Sequence, residues 1–164
     1  MSVHFSSKAE EEFKEIVSRY PLKDAALLPV LWLAQEEFDH LSQEVRAYVA
    51  EKLEISLARV ESVVSFYTLY KTRPMGKHHI QICRNISCSL RGCDRLMGLV
   101  ERTLGIKPGE TTLDGRFSYS TVECIAACGG APAIQINGDY YENVTEKGLT
   151  ELIGRAKEHA TDRK

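Results

Sequence analysis

Five cysteines carry most of the chemistry available to this 164-residue chain. Four of them form two close pairs, Cys83 and Cys88 as C-x4-C and Cys124 and Cys128 as C-x3-C. A fold that brings both pairs together makes a four-thiolate pocket, suited to an iron–sulfur cluster or a structural zinc. The pairs sit among small residues: Ser87, Ser89, Ala126, Ala127, Gly129 and Gly130. Small side chains let backbone N–H groups approach sulfur and help set a cluster's potential. Pro132 stiffens the exit from the second pair. Cys93 is also spaced C-x4-C from Cys88, so spacing alone leaves the ligand set ambiguous. It shares helical intervals with Leu96, Met97, Val100 and Leu104, which predicts a buried thiol behaving as a small hydrophobe. Zinc ribbons favour C-x2-C knuckles, and neither pair has that spacing. No C-x-x-C is present for a redox dithiol, and no C-x-x-C-H for a c-type haem. Iron and zinc both remain open at this level.

The elements that must position these thiols follow from periodicity. His78 to Cys83 alternates around Ile80 and Ile82 and predicts a strand ending on Cys83. Phe117 to Val122 predicts a second strand, closing just before Cys124. If the two are neighbours and end on the same side of a sheet, all four sulfurs reach one edge. A helix is predicted from about Leu90 to Leu104, closed by Gly105. A hairpin of Ala133–Ile136 and Tyr140–Asn143 turns at Asn137-Gly138, a pair suited to the φ > 0 positions of a type I′ turn. Thr145 is the expected N-cap of a last helix bearing Leu149, Leu152, Ile153 and Ala156. The polar tail, Glu158 to Lys164, is expected to fray.

Before Lys71 the pattern is helical. Ser7-Lys8-Ala9-Glu10 has capping-box spacing ahead of Phe13, Ile16, Val17 and Tyr20, and Pro21 ends that helix. A second helix runs from about Asp24 to Phe38 with Leu27, Leu28, Leu31 and Trp32 as its apolar face and Pro29 near its start. Ser42 and Ser56 are N-caps for two more, burying Val45, Val49 and Leu53, then Val60, Val63, Val64 and Tyr67. The segment Lys71 to Lys77, with Pro74 and Gly76, reads as a boundary. Residues 1–74 are therefore expected as a helical arm and 75–164 as a mixed domain, an α+β chain overall.

Composition narrows the function classes. With 43% hydrophobic and 27% charged residues, the chain is globular, and a net charge of −2 gives no basic surface for nucleic acid. No apolar run approaches the ~20 residues needed to span a bilayer. MSVHFSSKAEEEF has no apolar core or small-residue cleavage site, so the chain is expected in the cytosol, where paired thiols hold metals more often than disulfides. No G-x-G-x-x-G, P-loop or nucleophile elbow is present, so a site for NADH or flavin within the chain is not expected. The three glycines between Gly105 and Gly115 predict a lid or surface loop. His78 and His79 should point to opposite faces of their strand, at least one toward solvent. Phe66, Tyr67 and Tyr70 read first as core and second as a partner-facing aromatic patch.

Three stretches, VESVVSFYTLY, HIQICRNISC and GIKPGETTLDGRFSYSTVECIAACGGAP, resemble the E-type subunit family of NADH-quinone oxidoreductase (respiratory complex I) from about Phe13 to Ala156. The resemblance implies a helical arm followed by a thioredoxin-like [2Fe–2S] ferredoxin domain. It places the cluster ligands on Cys83, Cys88, Cys124 and Cys128 and gives Cys93 no ligand role. It implies a flavoprotein partner that binds NADH and FMN and exchanges single electrons with the cluster, in a peripheral arm on the cytosolic side of a membrane complex. The small subunits of NAD-linked hydrogenases and formate dehydrogenases are similar to this family and are the near alternative. A zinc-stabilised binding module is the remoter one.

Overall fold

The computed structural model describes residues 3–158. The chain divides into two compact units between Pro74 and Met75, each with its own apolar core. Among the described residues there are seven α-helices and one four-stranded sheet.

The first unit is helical: α1 (Ser7–Ser18), a 3₁₀ turn (Lys23–Ala26), α2 (Leu27–Phe38), α3 (Gln43–Leu53) and α4 (Leu57–Phe66). The helix starts follow from serine caps. The Ser42 and Ser56 side chains accept the amides of Val45 and Arg59, both at 3.3 Å, as expected. At α1 the cap is Ser6, one residue earlier than expected, accepting from Ala9 N–H. That shift frees Glu10 from a capping box, and its carboxylate instead takes Lys52 Nζ at 2.6 Å. Pro29 falls in the first turn of α2, where its missing N–H would have no helical partner. The buried face of α2 is Leu27, Val30, Leu31, Leu33 and Ala34. Leu28 and Trp32, expected inside, face outward, because the true stripe runs one position round the helix from them. Tyr67, also expected inside, is 38% exposed, whereas Tyr70 is buried and its hydroxyl donates to Leu28 O at 2.9 Å. Gln35 sews the chain after α4 back onto α2: its amide donates to Leu69 O at 3.2 Å and its carbonyl accepts Lys71 N–H at 2.6 Å.

The second unit is α+β. Its elements are β1 (His78–Cys83), α5 (Ile86–Leu90), α6 (Cys93–Leu104), β2 (Phe117–Val122), β3 (Ile134–Ile136), β4 (Asp139–Tyr141) and α7 (Glu146–Glu158). The sheet order is β2-β1-β3-β4. β1 and β2 are parallel with Cys83 opposite Val122, so both strands end together and Cys124 follows two residues on. β1–β3 and β3–β4 are antiparallel. Asn137 and Gly138 both take positive φ, 59° and 139°, at the hairpin turn. Thr145 caps α7 by accepting Gly148 N–H at 3.1 Å. Leu96 and Val100 from α6 and Leu149 and Ile153 from α7 join Ile80, Ile82, Tyr119 and Ile134 in one core. Residues 159–164 of the tail expected to fray lie outside the described residues.

Two expectations change here, and one is narrowed. The helix expected from Leu90 to Leu104 is two helices, because Gly92 at φ 89° cannot continue the first. Of the lid or surface loop expected between Gly105 and Gly115, the structure has the surface loop. It runs along the outer edge of β2 through Gly109 N–H to Tyr119 O (2.7 Å), Tyr119 N–H to Glu110 O (3.1 Å) and Thr112 N–H to Phe117 O (2.8 Å), and so covers an edge that would otherwise be open. Neither adjacent histidine is exposed: His79 is buried with Nε2 2.8 Å from Ser120 Oγ, and the half-buried His78 ring lies 5.3 Å from that of Phe117. β1 is an inner strand paired on both edges, and its own alternation does not reveal what covers its faces.

Candidate metal centre

The cysteines of the second unit lie around the common end of β1 and β2. Cys83 closes β1, and its N–H donates to Ala133 O at 3.3 Å. Its Sγ lies 3.9 Å from Glu123 O, on the residue just before Cys124. Arg84 and Glu123, the residues immediately beyond Cys83 and before Cys124, bridge the two strand ends through Nε and Oε1 at 2.9 Å. The pair is exposed and adds little to stability, but it links the two strand ends that lead into the cysteine loops. Asn85 accepts Ile86 N–H at 2.7 Å and starts α5, which turns Cys88 inward.

Cys83 and Cys88 are both buried, and the Cys83 thiol is near enough to raise that of Cys88. Burial is the main cause that pushes the Cys88 thiol up to about 11. The Ala133 amide, donating to this sulfur, works against it, and Cys83 and Cys93 add to the rise. Cys124 and Cys128 are exposed. Ala126, at φ 58°, turns its N–H onto Cys124 Sγ at 3.3 Å. Cys128 opens a short 3₁₀ turn, Cys128–Gly130, anchored from behind where Asn143 N–H donates to Gly130 O at 2.6 Å. A Cβ on Gly130 would lie 2.5 Å from Glu142 Cβ, so only glycine admits this approach. Cys93 is fully buried at the start of α6, with Leu96 and Val100 on the same face.

The structure therefore brings Cys83 and Cys88 together and leaves Cys124 and Cys128 on the adjoining loop. Among the described residues no three His, Cys, Asp or Glu side chains converge to metal-ligand spacing. The donor chemistry nevertheless fits an iron–sulfur centre: four thiols on two loops, with backbone amides already directed at sulfur from Ala126 and Ala133. The Ala133 amide and the Arg84–Glu123 bridge were missed in the sequence. The bridge had a signal, since opposite charges flank the two strand-ending cysteines.

The raised Cys88 value has a measurable consequence for the metal-free protein. The fold accommodates the neutral thiol, so the stability this site contributes is complete below the ordinary thiol value of 9.0. It is lost as pH rises from there through about 11. Thermal melting in chelator-treated buffer should show wild type losing stability across that window. Cys88→Ala should have a shallower slope there, and identical slopes would contradict the burial argument.

A four-stranded mixed sheet that presents thiols where its two parallel strands end defines an α+β domain with a cysteine-rich edge. Residues 13–157 match the thioredoxin-like [2Fe-2S] ferredoxin family, and the chain belongs to it. Among curated relatives it is 42% identical over 153 residues to an E-type subunit of NADH-quinone oxidoreductase from Rhizobium meliloti (strain 1021), covering 92% of this chain and 91% of that protein. It is also 42% identical over 154 residues to the E-type subunit of NADH-quinone oxidoreductase from Rickettsia prowazekii (strain Madrid E), covering 91% and 86% respectively. Among solved structures, a chain of an NAD+-reducing [NiFe]-hydrogenase in the air-oxidized state superposes with a TM-score of 0.71 at 21% identity. The match covers 82% of this chain but only 23% of that one, a likeness of fold. The family implies a [2Fe–2S] cluster. No helix of the described residues is long and apolar enough to cross a membrane.

Proposed function

We propose that this chain is the electron-transfer subunit of an NADH:quinone oxidoreductase, with Cys83, Cys88, Cys124 and Cys128 as the ligands of its [2Fe–2S] cluster. Near-full-length identity of 42% to the E-type subunits of that complex carries the reading. The placement of both cysteine pairs around one end of the parallel strands supports the ligand set. When bound, such a cluster accepts and gives up one electron at a time. The chain's own residues supply the rest. Cys83 and Cys88 provide two thiolates from a dry wall, Cys124 and Cys128 two from a wet loop, and the Ala126 and Ala133 amides hydrogen-bond to sulfur. These donors stabilise the extra negative charge of the reduced form. The second unit is then the cluster-bearing domain, and the first a helical arm.

NADH delivers two electrons as hydride, so a partner is needed to split the pair. In this reading an FMN- and NADH-binding flavoprotein does so, on the cytosolic side of a membrane-attached complex. Anaerobic reconstitution with iron and sulfide tests the proposal. The expected product holds about two irons and two sulfides per chain, absorbs in the visible, and gives an EPR signal on one-electron reduction. Without its partner it does not oxidise NADH. A colourless protein holding one zinc, or NADH turnover by the isolated chain, would sink the reading. Co-purification with hydrogenase or formate dehydrogenase subunits instead of quinone-reducing ones would move the same cluster into another complex.

A further inference from the structure

Arg91 stands apart from the other cations around the cysteine loops. It follows α5, three residues after Cys88, and its Nε donates to Ala131 O at 3.3 Å across forty positions of sequence. Ala131 is buried and belongs to the stretch between Cys128 and β3. That stretch lies over the first thiol pair, because Ala133 accepts from Cys83 N–H at 3.3 Å and donates to Cys88 Sγ. Arg91 thus joins the chain leaving the first cysteine pair to the chain leaving the second. Arg95 and Lys147 line the same groove of about 500 Å³. Neither is hydrogen-bonded to the cysteine loop in the way Arg91 is.

We propose that Arg91 is a positioning residue that clasps the second cysteine loop over Cys83 and Cys88, holding the two halves of the ligand set in register. The proposal rests on the cluster reading above for its effect on iron retention. Its mechanical part concerns only this chain's own loops. A guanidinium suits this role because its planar fork donates in a fixed direction and so can hold a carbonyl.

Two readouts on the full chain test the clasp. In metal-free protein, Cys88 alkylation should be several-fold faster in Arg91→Met than in wild type, with Cys124 and Cys128 labelling unchanged and the melting temperature preserved. In reconstituted protein, Arg91→Met should release iron to a chelator about tenfold faster, the lower end for lost outer-shell partners. Arg91→Lys keeps a donor of similar reach without the fixed direction, so it should restore part of the iron retention. Arg95→Met, in the same groove without the loop contact, should release iron like wild type. The clasp is overturned if Arg91→Met matches wild type in Cys88 labelling and iron release, or if Arg95→Met does as much as Arg91→Met. If the wild type loads no iron, the cluster reading fails by itself, and the Cys88 labelling rates still decide the clasp.

Discussion

Cys124→Ala and Cys128→Ala are each expected to reduce bound iron and sulfide from about two per chain to background while leaving the fold intact. The expectation comes from where the thiols sit. Both side chains are exposed, so removing either deletes no core packing. Three thiolates and a methyl cannot complete the coordination of a cluster that needs four. The inner pair is a harsher probe. Cys83 and Cys88 are buried, and serine there would place a hydroxyl where a thiol sat, at a cost of about 1–3 kcal/mol if it goes unpaired. A lost cluster in those variants would mix coordination with folding. Cys93→Ala completes the series. It empties a fully buried site and should lower stability by roughly 1–2 kcal/mol, yet retain both irons. Iron and sulfide assays, with circular dichroism as the check on folding, separate these outcomes. Full iron content in Cys124→Ala or Cys128→Ala, or cluster loss confined to Cys93→Ala, would overturn the ligand assignment.

Much of the fold could be read from the chain because its signals are local. β1 and β2 fall on the expected residues since Ile80, Ile82, Phe117 and Tyr119 make strong apolar strands. Asn137-Gly138 fixes its turn because those residues tolerate positive φ. Ser42, Ser56 and Thr145 cap helices through a bond that spans only three residues. Most of the misreadings have one physical origin: they depended on a distant contact. Ser6 and Ser7 are equally good caps locally, and Ser6 prevails in a structure where Glu37 also binds its N–H at 2.9 Å. Leu28 and Trp32 repeat at helical spacing as well as Leu27 and Leu31 do, and packing against α3 and α1 decides between the stripes. The split between α5 and α6 rests on one glycine, and an isolated glycine in a helical pattern is often tolerated. The site shows the same division. Its thiols were legible by type and spacing, whereas Arg84–Glu123, Ala133–Cys88 and Arg91–Ala131 join residues about forty positions apart.

Gly76→Ala should be the most damaging single substitution outside the thiols. The Gly76 N–H donates to Ser118 Oγ at 2.6 Å, which holds the chain entering β1 against the start of β2. A Cβ at this position would lie 2.5 Å from Phe117 C, 2.7 Å from Ser118 N and 2.8 Å from Phe117 N. These are backbone atoms of a strand paired along its whole length with β1. No rotamer change can relieve the overlap, so the ladder that ends on Cys83 must shift. Overpacking against rigid neighbours costs about 1–3 kcal/mol or more, and the loss of a buried hydrogen bond adds about 1 kcal/mol. For a domain of this size each kcal/mol moves the melting temperature by about 4–8 °C, so a fall of roughly 8–32 °C is expected. Gly154→Ala is the matched contrast. Nothing lies within 4 Å of its added Cβ, and it sits inside α7, so the same methyl should stabilise by about 0.5–1 kcal/mol. The two variants add the same methyl, one against a strand backbone and one into open space on a helix, and thermal unfolding followed by far-UV circular dichroism compares them directly. A Gly76→Ala protein that melts within a few degrees of wild type would mean that the close approach of this segment to β2 is not what holds the parallel pair in place.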